Sequence, residues 1–377
     1  MRHVATLLLT MVTALPAAPS PAVQSDVAAI GTARAFVLDT MAQLRAPGAS
    51  ITVIRDGVMI WSEGFGFADL EQRVPVTPLT RFRIGSVSKP LTSIALGLLV
   101  EEGKLDLDAP VQRYLPDFPV TRWPITTRQL AGHLAGIRHY RGDEFASARH
   151  YDTVRDGLAI FANDSLLFEP GTRYAYSTYG WNLLSAVIES ASGESFLPYM
   201  ARRVFGPAGM TRTVPEFNDS LIPFRARFYV HADSAAPATN APYVDNSYKW
   251  AGGGFLSTTE DLARFGRKLL EGKLLQPGTR DLLWTSQQTR DGKATDYGMG
   301  WRSGRDPQGR RWIGHTGGAM GGTANLMLFP DQQLIIAVLV NSDRTFISAA
   351  PRIAALFMQS SSASSSPANP RAVRSPD

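Results

Sequence analysis

Ser86 and Lys89 stand in S-x-x-K spacing, between the β-like run Phe82-Arg83-Ile84-Gly85 and the apolar stretch 91–100. At the first turn of a helix this spacing sets both side chains on one face. In a dry site the ammonium gives up its charge and can take the hydroxyl proton, making the serine a nucleophile. The chain has six lysines against 32 arginines, and Lys89 alone follows a serine by three residues. By itself the pattern also describes a capping serine and a solvated lysine. Other residues decide between these.

Tyr176 lies in Tyr174-Ala-Tyr-Ser-Thr-Tyr-Gly180, after the Pro170-Gly171 turn and ahead of a helix. A tyrosine at such a junction can aim its hydroxyl into a cleft. Beside an ammonium its pKa is expected to fall, so that it can share or relay a proton. These aromatic residues can equally pack the interdomain seam, which is the reading for Tyr174 and Tyr179, and Tyr176 is set apart only by the resemblance given below. The third cluster is Gly314-His-Thr-Gly-Gly318. Glycines beside a strand admit a substrate backbone and leave an N–H free for an oxyanion. His315 at this position is either structural or a substrate contact. If it meets a carboxylate as imidazolium, His315→Lys flattens the pH dependence of kcat/KM between roughly pH 6 and 8.

Other chemistries find little support. His133, His139, His150, His231 and His315 form no H-x-x-x-H or H-E-x-x-H pair, and cysteine is absent. No metal and no other cofactor is expected. Gly252-Gly-Gly254 lacks the G-K-[ST] ending of a phosphate loop, and Ser88 breaks a G-x-S-x-G elbow around Ser86.

The elements that must position these residues follow from periodicity and turn signals. A helix is predicted over 27–44, then strands 50–55 and 58–64 joined by Asp56-Gly57. Helices follow at 126–135, 153–162, 181–191, 196–205 and 258–271, the last capped by Ser257 with Glu260 three residues on. Strands are predicted at 297–302, 310–315, 323–329 and 333–340, and a closing helix at 348–359. Strands at both ends and helices between them predict an α+β fold. One antiparallel sheet is built from both chain ends (about 27–110 and 250–358) with an all-α insertion (about 111–249). The cleft between the two parts is the expected binding site.

Composition fits this picture. With 377 residues, 44% hydrophobic and 19% charged, the chain can bury a full core. The net charge of +5 is spread, with no basic stripe of the kind nucleic acid selects. Arg2, His3, the apolar run 4–15 and the small residues Ser20 and Ala22 read as an export signal over 1–22, cleaved after Ala22. The protein is then periplasmic or secreted, without stable membrane insertion. An uncleaved anchor is the alternative. Residues 359–377, rich in serine, alanine and proline, are expected to form a disordered tail.

In order and spacing, Ser86-x-x-Lys89, Tyr176-Ser-Thr178 and His315-Thr-Gly317 resemble the serine β-lactamase and penicillin-binding protein superfamily, in its class C-like branch. Longer strings are similar to the mitochondrial-type serine β-lactamase-like proteins. They include Gly132-His-Leu-Ala-Gly-Ile-Arg-His-Tyr140, Arg225-Ala-Arg-Phe-Tyr-Val230 and Tyr243 to Thr258. The resemblance implies an acyl-enzyme on Ser86, with Lys89 and Tyr176 as general base and acid. It further implies an oxyanion hole from the N–H groups of Ser86 and Gly318, and substrate contacts from Thr178, His315, Thr316 and Gly317. The family's usual asparagine is replaced by Thr178 and its usual lysine by His315. Both changes lead away from antibiotic hydrolysis and toward a small-molecule or peptide substrate cleaved by a peptidase or esterase. A true β-lactamase and a non-catalytic penicillin-binding sensor or assembly protein are the rival readings.

Overall fold

The structure, a computed structural model, describes residues 21–344, Phe346 and 348–364. Its frame is a seven-stranded antiparallel sheet. The strand order is Val74–Pro75, Val58–Asp69, Gly48–Arg55, Leu334–Val340, Gly322–Phe329, Arg311–Ala319 and Arg302–Arg305. The first and last parts of the chain thus meet at the sheet centre, where Ala49 lies opposite Val340 and Arg55 opposite Leu334. Asp56 (φ 51°) and Gly57 (φ 77°) make the left-handed turn that joins the first two strands.

Both faces of the sheet are covered, which is why Leu334–Val340 carries no polar residue. Leu334, Ile336, Val338 and Val340 pack with Val37 of the Pro21–Leu44 helix and Ile353 and Phe357 of the Ala349–Ser364 helix. The alternate residues Ile335, Ala337 and Leu339 share a second core with Leu91 of the Ser88–Glu101 helix and Leu262 and Phe265 of the Thr259–Leu270 helix. The period of two along a strand sends one segment into two cores.

Between these halves lies the insertion, whose long helix is Thr178–Ser192. Its other helices are shorter than their apolar spacing predicts. Thr127–Ala131 stops where His133 enters the left-handed region at φ 61°. Over 153–162 only a 3-10 turn, Asp156–Ile160, forms, with Gly157 close against the Tyr248 backbone. Phe196–Met200 passes into a π turn, Ala201–Phe205. Two-residue strands also occur in this part, so it is richer in loops than an all-α insertion.

Other boundaries move for local reasons. Thr258, not Ser257, caps the Thr259–Leu270 helix, accepting from Asp261 N–H at 3.1 Å, because Ser257 ends a strand and its hydroxyl meets Thr213. Residues 297–302 are not a strand. Gly300 at φ 88° turns the chain there, and pairing begins at Arg302. The closing helix runs on to Ser364, six residues into the expected tail, and Pro277–Trp284 is a helix that the turn-like Pro277-Gly278 concealed. The proposed signal, apart from Pro21 and Ala22 at the start of the first helix, lies outside the described residues, as does the tail beyond Ser364.

Candidate active site

Ser86 sits where two elements are forced together. The strand Phe82–Arg83 leads into a 3-10 turn, Gly85–Val87, continuous with the Ser88–Glu101 helix. Gly85 has φ 47°, and a Cβ there would lie 2.5 Å from Gly318 O. A Cβ on Gly317 would lie 2.0 Å from Ile84 O. Only glycines let the nucleophile turn and the Arg311–Ala319 strand approach this closely. That strand runs through the whole Gly314–Gly318 cluster instead of ending before it. Its outer neighbour pairs only with Arg311 to Gly314, so residues 315–319 present a free edge. Gly318 is exposed on it. As the start of a helical run, the Ser86 turn also offers an N–H that the helix itself does not use.

The side chains converge on one oxygen. Lys89 Nζ lies 3.0 Å from Ser86 Oγ, and Tyr176 OH donates to the same Oγ at 2.8 Å. Lys89 is fully buried, and Nζ also reaches Gly252 O at 2.8 Å and Thr178 Oγ1 at 3.3 Å. Burial, then the charges of Lys249 and Arg302, hold its pKa well below that of an ordinary lysine. The expected fall in the Tyr176 pKa does not occur. Burial raises it, and the hydrogen bond to Ser86 only partly opposes this, so the side chain is a phenol. Tyr176 is positioned by Ser177, which caps the following helix by accepting from Gly180 N–H at 3.1 Å, and by the His133 ring 4.2 Å away.

Two residues expected to touch substrate are turned inward. The Thr178 hydroxyl is buried against Lys89 and Tyr140. Thr316 O, which can only accept, receives a hydrogen bond from His315 Nδ1–H at 2.6 Å, leaving Nε2 to accept from Tyr297 OH at 2.9 Å. Burial, followed by the Lys89 charge, lowers the His315 pKa to about 3. Both contacts and the lowered pKa favour a neutral imidazole at His315 between pH 6 and 8, against the imidazolium expected for a carboxylate contact. Thr316 is half-buried and Gly317 buried, packed on Ile84.

Several residues of the site carry no spacing signal. His133 is buried between Tyr176 and Tyr297, and its Nδ1 accepts from Ser177 N–H at 3.1 Å. His139 Nδ1 accepts from Thr178 N–H at 3.3 Å, and burial brings its pKa to about 4. Lys249, buried and three residues before Gly252, is ringed by Phe145, Tyr248 and Tyr140 at 4.7, 5.0 and 5.6 Å. Burial and the neighbouring Arg83 lower its pKa to about 7. Arg302 is exposed, 5.7 Å from the Tyr297 ring. The 132–140 and 243–258 strings pointed to three of these residues without giving them a role.

Known proteins match this chain in sequence and in fold. The Beta-lactamase family model matches residues 33–357. The human serine beta-lactamase-like protein LACTB, mitochondrial, is 34% identical over 412 residues, 84% of this chain and 75% of that protein. The octameric penicillin-binding protein homologue from Pyrococcus abyssi superposes with a TM-score of 0.76 at 28% identity, covering 88% of this chain and 77% of the other. A D-stereospecific amidohydrolase from Streptomyces sp. superposes with a TM-score of 0.69 at 25% identity, covering 89% and 96%.

Proposed function

The chain belongs to the Beta-lactamase family of serine hydrolases, and from that premise we propose that it cleaves peptide or ester substrates through an acyl-enzyme on Ser86. One observation carries this reading: a single hydroxyl oxygen meets both a buried lysine amine and a phenol. A neutral amine has two N–H groups and one lone pair. Gly252 O and Thr178 Oγ1 take the two N–H groups, which leaves the lone pair for the Ser86 proton.

Ser86 Oγ then bonds to the substrate carbonyl carbon as its proton passes to Lys89. The N–H groups of Ser86 and Gly318 hold the oxyanion. Collapse breaks the bond to the leaving group, which takes the proton from Lys89 through the Tyr176 hydroxyl. Water then bonds to the acyl carbon as one of its protons passes to Lys89, and collapse breaks the ester bond to Ser86 Oγ, which takes that proton from Lys89 as the acid leaves. A neutral, inward His315 and an inward Thr178 offer a β-lactam neither a cation nor an amide. Likeness to an amidohydrolase supports peptide or amide substrates.

Ser86→Ala is expected to abolish labelling by a fluorescent penicillin or fluorophosphonate probe. Robust labelling of the variant overturns the assignment. A panel of D-Ala-D-Ala peptides, aminopeptidase amides, short p-nitrophenyl esters and nitrocefin, run on both proteins, is expected to show Ser86-dependent turnover of a peptide or ester and only background with nitrocefin. Intact mass of the same wild-type preparation, expected to begin at Val23, checks the export reading of residues 1–22.

A further inference from the structure

A cavity of about 490 Å³ is lined by Arg83, Glu216, Arg225, Arg227, Asp69 and Phe228 among other residues. Arg83 lies three residues before Ser86, and its Nη1 donates at 2.7 Å to the carbonyl of Met320, two residues past Gly318. The Arg83 guanidinium stacks 4.1 Å from the Phe228 ring. A Cβ on Gly321 would lie 2.7 Å from Phe228 Cβ. The cavity therefore begins where the Arg311–Ala319 strand ends.

An extended chain lying along the free edge at residues 315–319 is stopped at one end, where the Arg302–Arg305 strand takes over the pairing. It is open at the other end, toward Met320. Met320 and Gly321, the latter at φ 67°, make the two-residue turn to the next strand, so the edge ends at Ala319, and two to three residues of extended substrate, roughly 7–10 Å, run past it toward Arg83.

Charge in the cavity is uneven. Arg83 grips the buried Glu216 at 2.8 and 3.0 Å, and Asn246 Nδ2 donates to the same carboxylate at 2.6 Å. Arg227 pairs with Asp69 at 3.2 Å. Arg225 has one contact, from Nη1 to Phe217 O at 3.2 Å, and among the described residues no carboxylate within ion-pair distance. Its half-buried fork is left for an anion, against walls that the Arg83–Glu216 pair holds fixed.

We propose that Arg225 makes this cavity a subsite for a carboxylate on the acyl side of the substrate, so that acidic peptides are the favoured acyl donors. The proposal rests on Ser86-dependent acyl transfer as read above. The test uses the full chain with acetylated tripeptide p-nitrophenyl esters carrying Glu or Gln at the second or third residue before the scissile bond. Wild type is expected to prefer Glu by about tenfold in kcat/KM at one of these positions, the discrimination of a single charge-assisted pair. Arg225→Gln is expected to bring the Glu/Gln ratio close to one, and Arg225→Lys to restore part of it. A folding defect lowers both substrates together; an unchanged ratio in Arg225→Gln overturns the subsite. A wild-type ratio near one, with Ser86-dependent turnover of both esters, overturns the subsite and leaves the hydrolase standing. Absence of Ser86-dependent turnover overturns both.

Discussion

A lysine that serves as a base needs surroundings that make its proton costly to keep. Around Lys89 burial does most of this, followed by the charge of Lys249 and then that of Arg302. The imidazoles of His133, His139 and His315 add no cation near neutral pH, since burial lowers the pKa of each. Lys249 matters because it titrates too, at about 7, and two ammonium groups this close resist being charged together. Its aromatic neighbours attract a cation, and the carboxylate that acts on it, Glu216, is already paired with Arg83. The sign follows: removing the Lys249 charge lets Lys89 hold its proton to higher pH. Lys249→Met is therefore expected to move the rising limb of kcat/KM against pH upward by about half to one unit. Lys249→Arg, charged throughout, is expected to leave the limb in place or move it downward. The measurement is Ser86-dependent ester hydrolysis from pH 5 to 10. A limb unmoved in Lys249→Met, or moved to lower pH, refutes the coupling.

At the scale of elements, the site depends on how closely a strand and a helical turn approach. Gly317 is the tightest point, with an added Cβ 2.0 Å from a backbone oxygen that cannot swing aside. Gly317→Ala is expected to push the Ser86 turn off the strand and slow acyl labelling by about 10²-fold, the cost of losing one oxyanion donor. The circular dichroism spectrum should persist, and labelling at the wild-type rate would show that the contact is dispensable. The same contact explains what the sequence concealed. Glycines depress strand propensity, so 316–319 read as a loop, and only pairing with residues 322–325 makes them a strand. His133 ends its helix at positive φ and places its ring beside Tyr176, which helical spacing cannot foresee. Ser86 and Lys89 stood out by local spacing, and Tyr176 was told from Tyr174 and Tyr179 by the motif order of the resemblance, not by its loop-to-helix junction. Tyr297 and Arg302 reach the site from remote segments and leave no local mark, and Lys249 shows only as part of the 243–258 string. The Asp56-Gly57 hairpin and the apolar run 334–340 were legible for the same reason of locality.

For the whole molecule, one sheet serves two cores, and the reacting groups belong to only one of them. The nucleophile helix, the Thr259–Leu270 helix and the insertion share the larger core. The other core lies under the two terminal helices, closed by Phe357, which is fully buried with its ring 6.3 Å from that of Trp61. A cavity in this second core costs stability without moving Ser86, because the sheet between them is continuous and hydrogen-bonded on both sides of Leu334–Val340. Phe357→Ala is expected to destabilise the protein by about 3–5 kcal/mol, the usual cost of deleting a buried phenyl ring. Thermal unfolding should show a lowered Tm. Below that Tm, the rate of probe labelling at Ser86 should stay within about twofold of wild type, since side chains this far apart with no shared partners act independently. A variant of unchanged Tm that labels slowly would mean that the terminal helices reach the site through the sheet, and that the two cores are energetically one.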